Sequence, residues 1–348
     1  MSNLLNMDAT TDDDIYNEFS PPCPDSLQYL NSTVLVLVYI IVFFLSLLGN
    51  TVVIFVVFFM KNQRSSTDVY LMHLAIADLL FSFTLPFWAA YLHAGHWMFG
   101  TVTCKLVSSI QEATFYCCVF LLACISIDRY MAIVKATQFF RQRHLEGAVC
   151  TVVWMCAILL SLPIMVHREA FVPESMENIY ICHENLTADT IEQWRLGLRI
   201  LHHTLGFFLP LGVMIFCYSF TMCTLCHSHN SQKQKAMRVI LCIVLAFVIC
   251  WLPKNVSELL DTLMRGSWMT ETCKLRDILD VALHVTQAMA FTHCAINPFL
   301  YAFIGKKFRN QLLISLFKKG LLGRETLSKY RVESMYSSAS SRQMSVTL

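Results

Sequence analysis

Asp78 lies in the run Leu74-Ala75-Ile76-Ala77-Asp78-Leu79, where hydrocarbon surrounds a carboxylate. An ionisable group at the centre of a bilayer-length apolar stretch costs at least ~2.5 kcal/mol, so it needs a reason. Asn50 and Asn297, in two other apolar stretches, bring amides that complete an inward polar cluster suited to a water network or a small hard cation. The plainer reading is a protonated, hydrogen-bonded Asp78. Arg129 stands between Asp128 and Tyr130, and an adjacent carboxylate can hold its guanidinium until a partner competes. Cys223-Thr-Leu-Cys226-His227-Ser-His229 matches the spacing for covalent haem and suggests zinc, but no second ligand pair follows it. Neither metal nor haem is expected there. No nucleophile, base and orienter set, no phosphate loop and no metal quartet occurs, so the chain reads as a non-enzyme without a cofactor.

The elements that must position these residues are membrane spans. Of 348 residues 56% are hydrophobic and only 14% charged, against about 25% charged in soluble domains. Windows of about 20 residues, enough to cross roughly 30 Å of hydrocarbon, give seven apolar runs near 34–60, 70–94, 105–133, 148–166, 200–226, 236–263 and 279–304. Lipid leaves helices or closed barrels as spanning backbone, and the alternation of a barrel is absent. The expected fold is an all-α membrane protein, a seven-helix bundle over 34–304. Residues 1–33 form an acidic outer arm, 305–320 an amphipathic helix on the membrane surface, and 321–348 a disordered Ser-rich tail. Lys61, Arg64, Lys135, Arg141, Arg143, Lys233, Lys235 and Arg238 share one side with the basic tail. That side is cytoplasmic, which puts the N-terminus outside and the C-terminus inside.

Asn31 and Asn185 fit the glycosylation pattern on the outer side, whereas Asn255-Val-Ser257 lies within span six and reads as chance. Cys23, Cys104, Cys182 and Cys273 fall outside or at outer helix ends and allow two bridges in three connectivities. Cys104–Cys182 and Cys23–Cys273 are the favoured pairs. Pro86, Pro163, Pro210, Pro253 and Pro298 each remove a backbone hydrogen bond within a span and permit kinks. Trp251, two residues before Pro253, is a ring that helix bending would move.

Together these residues resemble the rhodopsin-class G-protein-coupled receptors: Gly49-Asn50, Leu74-Ala-x-Ala-Asp78, Asp128-Arg129-Tyr130, Trp154, Pro210 with Tyr218, Cys250-Trp251-Leu252-Pro253 and Asn297-Pro298-Phe-Leu-Tyr301. Within that class, Thr84-Leu-Pro86-Phe87-Trp88, Gly95-His-Trp97-x-Phe-Gly100, Leu122 to Val134 and the four outer Cys resemble chemokine receptors. Asp261 to Arg265, Glu271-Thr-Cys273, Arg238-Val-Ile and Tyr301 to Arg309 look most like the interleukin-8-type CXC receptors.

The resemblance implies roles for matching residues. Asn50, Asp78 and Asn297 would hold a sodium ion and water. Asp128, Arg129, Tyr130, Tyr218, Asn297, Pro298 and Tyr301 would rearrange to admit a G-protein helix, coupled to the ligand pocket through Phe247, Trp251 and Pro253. The chain departs from the chemokine-receptor pattern at Gln287, where Glu is usual, and at Lys254, where Tyr is usual. Lys254 can pair with Glu258 at i,i+4, face Glu112 across the bundle, or snorkel toward lipid. Glu112, Glu258, Asp261 and Asp280 are then expected to supply the ligand-facing negative charge, with Trp97 also facing ligand.

Asp12, Asp13, Asp14 and Glu18 surround Tyr16 in the outer arm, a composition that suits tyrosine sulfation and capture of a basic protein. Arg195, Arg199 and Arg265 would complement the Glu-Leu-Arg segment of interleukin-8-like chemokines, which rests on the resemblance. The implied activity is an inhibitory-class G-protein response with calcium mobilisation and neutrophil chemotaxis at the plasma membrane. The alternatives are a scavenging receptor without G-protein signalling and, more remotely, a transporter. Residues Lys306 to Lys319 suit anionic lipid. Ser334, Ser337, Ser338, Ser340, Ser341 and Ser345 suit receptor kinases and arrestin, and nucleic acid is not among the expected partners. The net charge of +2 is two opposed fields: 18 acids and 8 bases fall outside, 5 acids and 18 bases inside, with Asp78 between.

Overall fold

The computed structural model describes residues 32–59, 65–135, 143–173, 178–185, 191–226, 231–266, 268, 272–304 and 306–318. The first span is α1 (Ser32–Phe59). Its buried residues, Leu35, Tyr39, Val42, Ser46, Asn50, Val53 and Val57, recur every three or four positions, while Ile41, Phe44 and Leu48 face outward. A helix apolar on both faces is what a lipid-surrounded span requires.

Span two is α2 (Ser66–Ser82) continued by α3 (Leu85–Ala94). Ser65 and Asp68 close a capping box at its N-terminal end, and Pro86 enters α3 where an N–H is not needed. Ser82 and Thr84 return their hydroxyls to Leu79 and Phe81 carbonyls at the break. Span three is α4 (Gly100–Ile133), which packs against α2, span four or α5 (Arg143–His167), and span five. Span five is α6 (Ile191–His203), a π-helical turn over Thr204–Phe208, and α7 (Leu209–Cys226). The wide turn precedes Pro210, and within it Gly206 lets Phe115 approach: a Cβ there would stand 2.8 Å from the Phe115 ring. Span six is α8 (Ser231–Arg265), bearing Pro253.

The seventh span differs from the single run expected. It is two helices, α9 (Cys273–Phe291) and α10 (His293–Ile304), parted at Thr292, whose hydroxyl and N–H both return to Met289 O. Among the described residues six of the helical spans are each long and apolar enough to cross a membrane; the seventh, with Lys274, Arg276, Asp277 and Asp280 in α9, is not one of them. Pro298 cannot donate to Cys294 O, and Asn50 Nδ2 donates to that carbonyl instead, at 2.9 Å. Helix α11 (Lys306–Lys318) follows span seven, where a short amphipathic helix is expected.

The fold is not wholly α. Strands β1 (Arg168–Phe171) and β2 (Ile181–Glu184) form an antiparallel hairpin between spans four and five. The two strands pair their backbones, and Arg168 faces Glu184 across them at 3.3 Å. The Cys104–Cys182 disulfide fastens β2 to α4 as expected. Cys273 is also disulfide-bonded, while Cys23, its expected partner, lies outside the described residues.

Candidate functional site

The half of the bundle that carries the Cys104–Cys182 disulfide gathers charge from spans three, five and six. Lys254 takes the i,i+4 option, with its Nζ 2.6 Å from Glu258 Oε1 and 5.6 Å from the Trp251 ring centre. Arg199 on α6 bonds Asp261 on α8 at 2.7 Å and donates to Thr262 Oγ1 at 2.8 Å. Glu112 meets His202 Nδ1 at 2.9 Å, and next to it His203 Nδ1 meets Asn255 Oδ1 at 2.8 Å. Three of the four acids expected to face ligand are therefore already paired within the bundle. A ligand here competes with Lys254, Arg199 and His202. Asp280 and Gln287 are part-buried on α9, and the Asp280 carbonyl accepts from His284. Asn255 is wholly buried and also donates to Trp251 O, in keeping with reading its glycosylation pattern as chance.

Trp97 has a different task from the one expected. It is only 2% exposed, donates Nε1–H to Gly100 O and its backbone N–H to Tyr180 O, and packs among Trp88, Tyr91 and Phe99. It pins the segment between spans two and three to the loop between spans four and five. The side chains of Arg195, Arg265 and Tyr301 lie outside the described residues, as do Asp12, Asp13, Asp14, Tyr16, Glu18, Asn31 and the tail serines. Asn185 is exposed at the end of the hairpin, where Nδ2 donates to Glu169 Oε2 at 3.3 Å. That bond and one from Lys105 hold the Glu169 carboxyl below the usual glutamate range.

An aromatic train runs inward from this pocket. The His202 ring stacks on Phe115 with centres 4.6 Å apart; Phe115 lies 4.3 Å from Trp251, and Trp251 lies 5.9 Å from Phe247. His293 stands edge-on to both, 5.8 Å from Trp251 and 5.7 Å from Phe247. Its Nε2 is 3.2 Å from Asp78 Oδ1, off the line needed for a hydrogen bond. Asn297 Nδ2 donates to Asp78 Oδ2 at 2.8 Å, and Cys118 Sγ lies 3.6 Å from Oδ1. Asp78 and Asn50 are fully buried, and Asn50 also bonds Ser46. The polar cluster is present, but its donors differ from those a sodium ion wants: beside Asp78 Oδ1 stand sulfur and nitrogen, whereas hard cations take oxygen.

At the opposite end of the bundle Asp128 Oδ2 accepts from Arg129 Nη2 at 2.6 Å and Nε at 3.1 Å, and from Thr67 Oγ1 on α2 at 3.1 Å. Tyr130 lies against Phe216 and Phe220 of α7. The Tyr218 hydroxyl is buried without a hydrogen-bond partner among the described residues. In this arrangement the arginine is held by its neighbouring carboxylate.

His202, His203, His293 and Phe115 were not singled out in the sequence. For the histidines a signal existed: each is ionisable and lies within a span, the criterion that marked Asp78.

Residues 49–301 match the family described as the 7 transmembrane receptor (rhodopsin family). The chain is 48% identical over 319 residues to the C-X-C chemokine receptor type 1 of Oryctolagus cuniculus, covering 91% of this chain and 89% of that one. It is 48% identical to the type 1 receptor of Homo sapiens over 91% of this chain and 90% of that one. To the C-X-C chemokine receptor type 2 of Oryctolagus cuniculus it is 48% identical over 92% and 89%.

Proposed function

The chain belongs to the rhodopsin family of seven-transmembrane receptors and, within it, to the C-X-C chemokine receptors, and from that premise we propose that it binds interleukin-8-like CXC chemokines bearing Glu-Leu-Arg. It is a multi-pass membrane receptor and not an enzyme. With its N-terminus outside, the arm around Tyr16 captures the basic chemokine and Arg199, with Arg195 and Arg265, receives the acidic end of that tripeptide. The response is nucleotide exchange on an inhibitory-class G protein, then calcium mobilisation and neutrophil chemotaxis. Receptor kinases and arrestin act on the tail serines, and α11 rests on anionic lipid.

The observation that carries this reading is the paired outer pocket: Lys254–Glu258, Arg199–Asp261 and His202–Glu112 are three charge pairs that a charged ligand end can exchange. Exchange at His202 moves a ring stacked on Phe115 and hence on Trp251. Below, the Asp128–Arg129 pair is the element such a movement would release. Nucleotide exchange measured on membranes against a panel of CXC chemokines is the test, repeated without residues 1–20 and at raised salt. Stimulation by Glu-Leu-Arg chemokines, weakened by both changes, is expected. Binding and uptake with no nucleotide exchange would establish the scavenging alternative.

A further inference from the structure

Asp78, Cys118 and His293 come from three different spans, α2, α4 and α10, and are 0%, 1% and 2% exposed. Their ligand atoms converge: Asp78 Oδ1 lies 3.2 Å from His293 Nε2 and 3.6 Å from Cys118 Sγ, and all three lie within 4.8 Å of one another. Tetrahedral zinc, with bonds near 2.0–2.3 Å, places neighbouring ligand atoms about 3.3–3.6 Å apart. A second observation points the same way. His293 is buried with neither ring nitrogen in a hydrogen bond, although its Nε2 stands 3.2 Å from the carboxylate and off the line to it. A polar group so deeply buried is costly unless something bonds it.

We propose that Asp78, Cys118 and His293 form a transition-metal site, of which Zn2+ is the natural occupant, in place of the oxygen-liganded sodium site expected from the sequence. Carboxylate, thiolate and imidazole are together a borderline-soft set that suits zinc, and a water completes the fourth position. Asn297 bonds the other carboxylate oxygen and so turns Oδ1 toward the cation. On binding, the Cys118 S–H bond breaks heterolytically: its electron pair becomes the sulfur–metal bond and the proton leaves to water. Nothing is oxidised or reduced.

The metal would tie spans two, three and seven together at one point. His293 also lies against Trp251 and Phe247, so fixing its ring fixes the inner end of the aromatic train. The metal therefore holds the arrangement seen here, in which Arg129 is paired to Asp128, and opposes agonist.

Co2+ serves as the spectroscopic stand-in for Zn2+, added to the full-length receptor in lipid nanodiscs in a Cys223→Ser background that removes the inner-end Cys pair. One Co2+ per receptor with a thiolate charge-transfer band and tetrahedral ligand-field bands is expected, displaced by Zn2+. Cys118→Ser should abolish the charge-transfer band, and His293→Gln should weaken binding at least tenfold. Zn2+ should lower chemokine affinity by roughly fivefold or more, while exchanging sodium for choline leaves the unfolding temperature unchanged. A thiolate band that survives in Cys118→Ser, no band in the parent, or a sodium-dependent rise in stability without a zinc effect would overturn the site. Should Cys118→Ser fail to fold, Cys118→Ala and the His293→Gln titration decide the matter on the same criteria.

Discussion

Gly49 on α1 lies against the ring of Pro298 on α10, so close that a Cβ at position 49 would stand 2.7 Å and 2.8 Å from two ring carbons. The next residue, Asn50, bonds the Cys294 carbonyl that Pro298 leaves without its helical donor. A proline inside the last helix of span seven is thus accommodated by the absence of one side chain, and the carbonyl it leaves open is bonded by the neighbouring one.

From this contact, Gly49→Ala should destabilise the receptor by about 1–3 kcal/mol, because the proline ring has no rotamer with which to yield. Asn50→Leu should cost a similar ~1–3 kcal/mol through an unbonded buried carbonyl. Thermal unfolding in lipid nanodiscs measures both. Since the two residues serve the same junction, the double variant should cost less than the sum of the singles.

The Asp128–Arg129 pair is supported from a second span by Thr67. Asp128→Asn should raise ligand-free nucleotide exchange by about tenfold, as expected when a charge-assisted contact of roughly 1.5–3 kcal/mol is weakened on one side of a two-state equilibrium. Thr67→Val should move exchange in the same direction by a smaller factor. Basal exchange unchanged in both variants would show that the pair does not hold the closed arrangement.

Lys254 and Glu258 form a part-buried i,i+4 pair beside Trp251. A double-mutant cycle with Lys254→Met and Glu258→Gln, read as chemokine affinity and as thermal stability, should give a coupling of about 0.5–3 kcal/mol in stability. If the ligand displaces the pair, both singles shift affinity while the double restores part of it.

Glu169, in the hairpin between spans four and five, gives a pH dependence. The bonds from Asn185 and Lys105 lower its pKa in the folded loop relative to the unfolded chain. The stabilisation they bring is therefore present above the ordinary glutamate pKa, about 4.3, and is lost as pH falls through the lowered value. Hydrogen exchange of the β1 and β2 amides, corrected for intrinsic rates, should accelerate on acidification from about pH 6 to pH 3. Glu169→Gln should remove that response.

Much of this was legible in the sequence because lipid enforces it. Bilayer-length apolar runs with basic residues at one side set seven spans, and Asp78, Arg129 and the outer cysteines announced themselves by being out of place. What sequence order does not carry is which helical turns meet. Glu112 and His202 are 90 positions apart and touch, whereas Trp97, conspicuous in its motif, turned inward to close a loop junction. The hairpin between spans four and five had no alternation to reveal it, since its strands, Arg-Glu-Ala-Phe and Ile-Cys-His-Glu, mix charge and apolar residues. The break at Thr292 follows from bonds to Met289 that only the folded backbone displays.

His202 joins two functions that substitution can separate. Its Nδ1 meets Glu112, a contact with the ligand pocket, while its ring face lies on Phe115 at an interplanar angle of 14°. His202→Phe keeps a flat ring over Phe115 and removes the polar contact; His202→Ala removes both. If the aromatic train carries the signal, the phenylalanine variant should lose chemokine affinity, by about fivefold to thirtyfold for one charge-assisted bond of roughly 1–2 kcal/mol, yet reach the parent's maximal nucleotide exchange. The alanine variant should lose maximal exchange as well, because nothing then presses on Phe115 and, through it, Trp251. Equal maxima in the two variants would mean that the stack only fills space, and the path from pocket to Trp251 would have to run through the Lys254 contact instead.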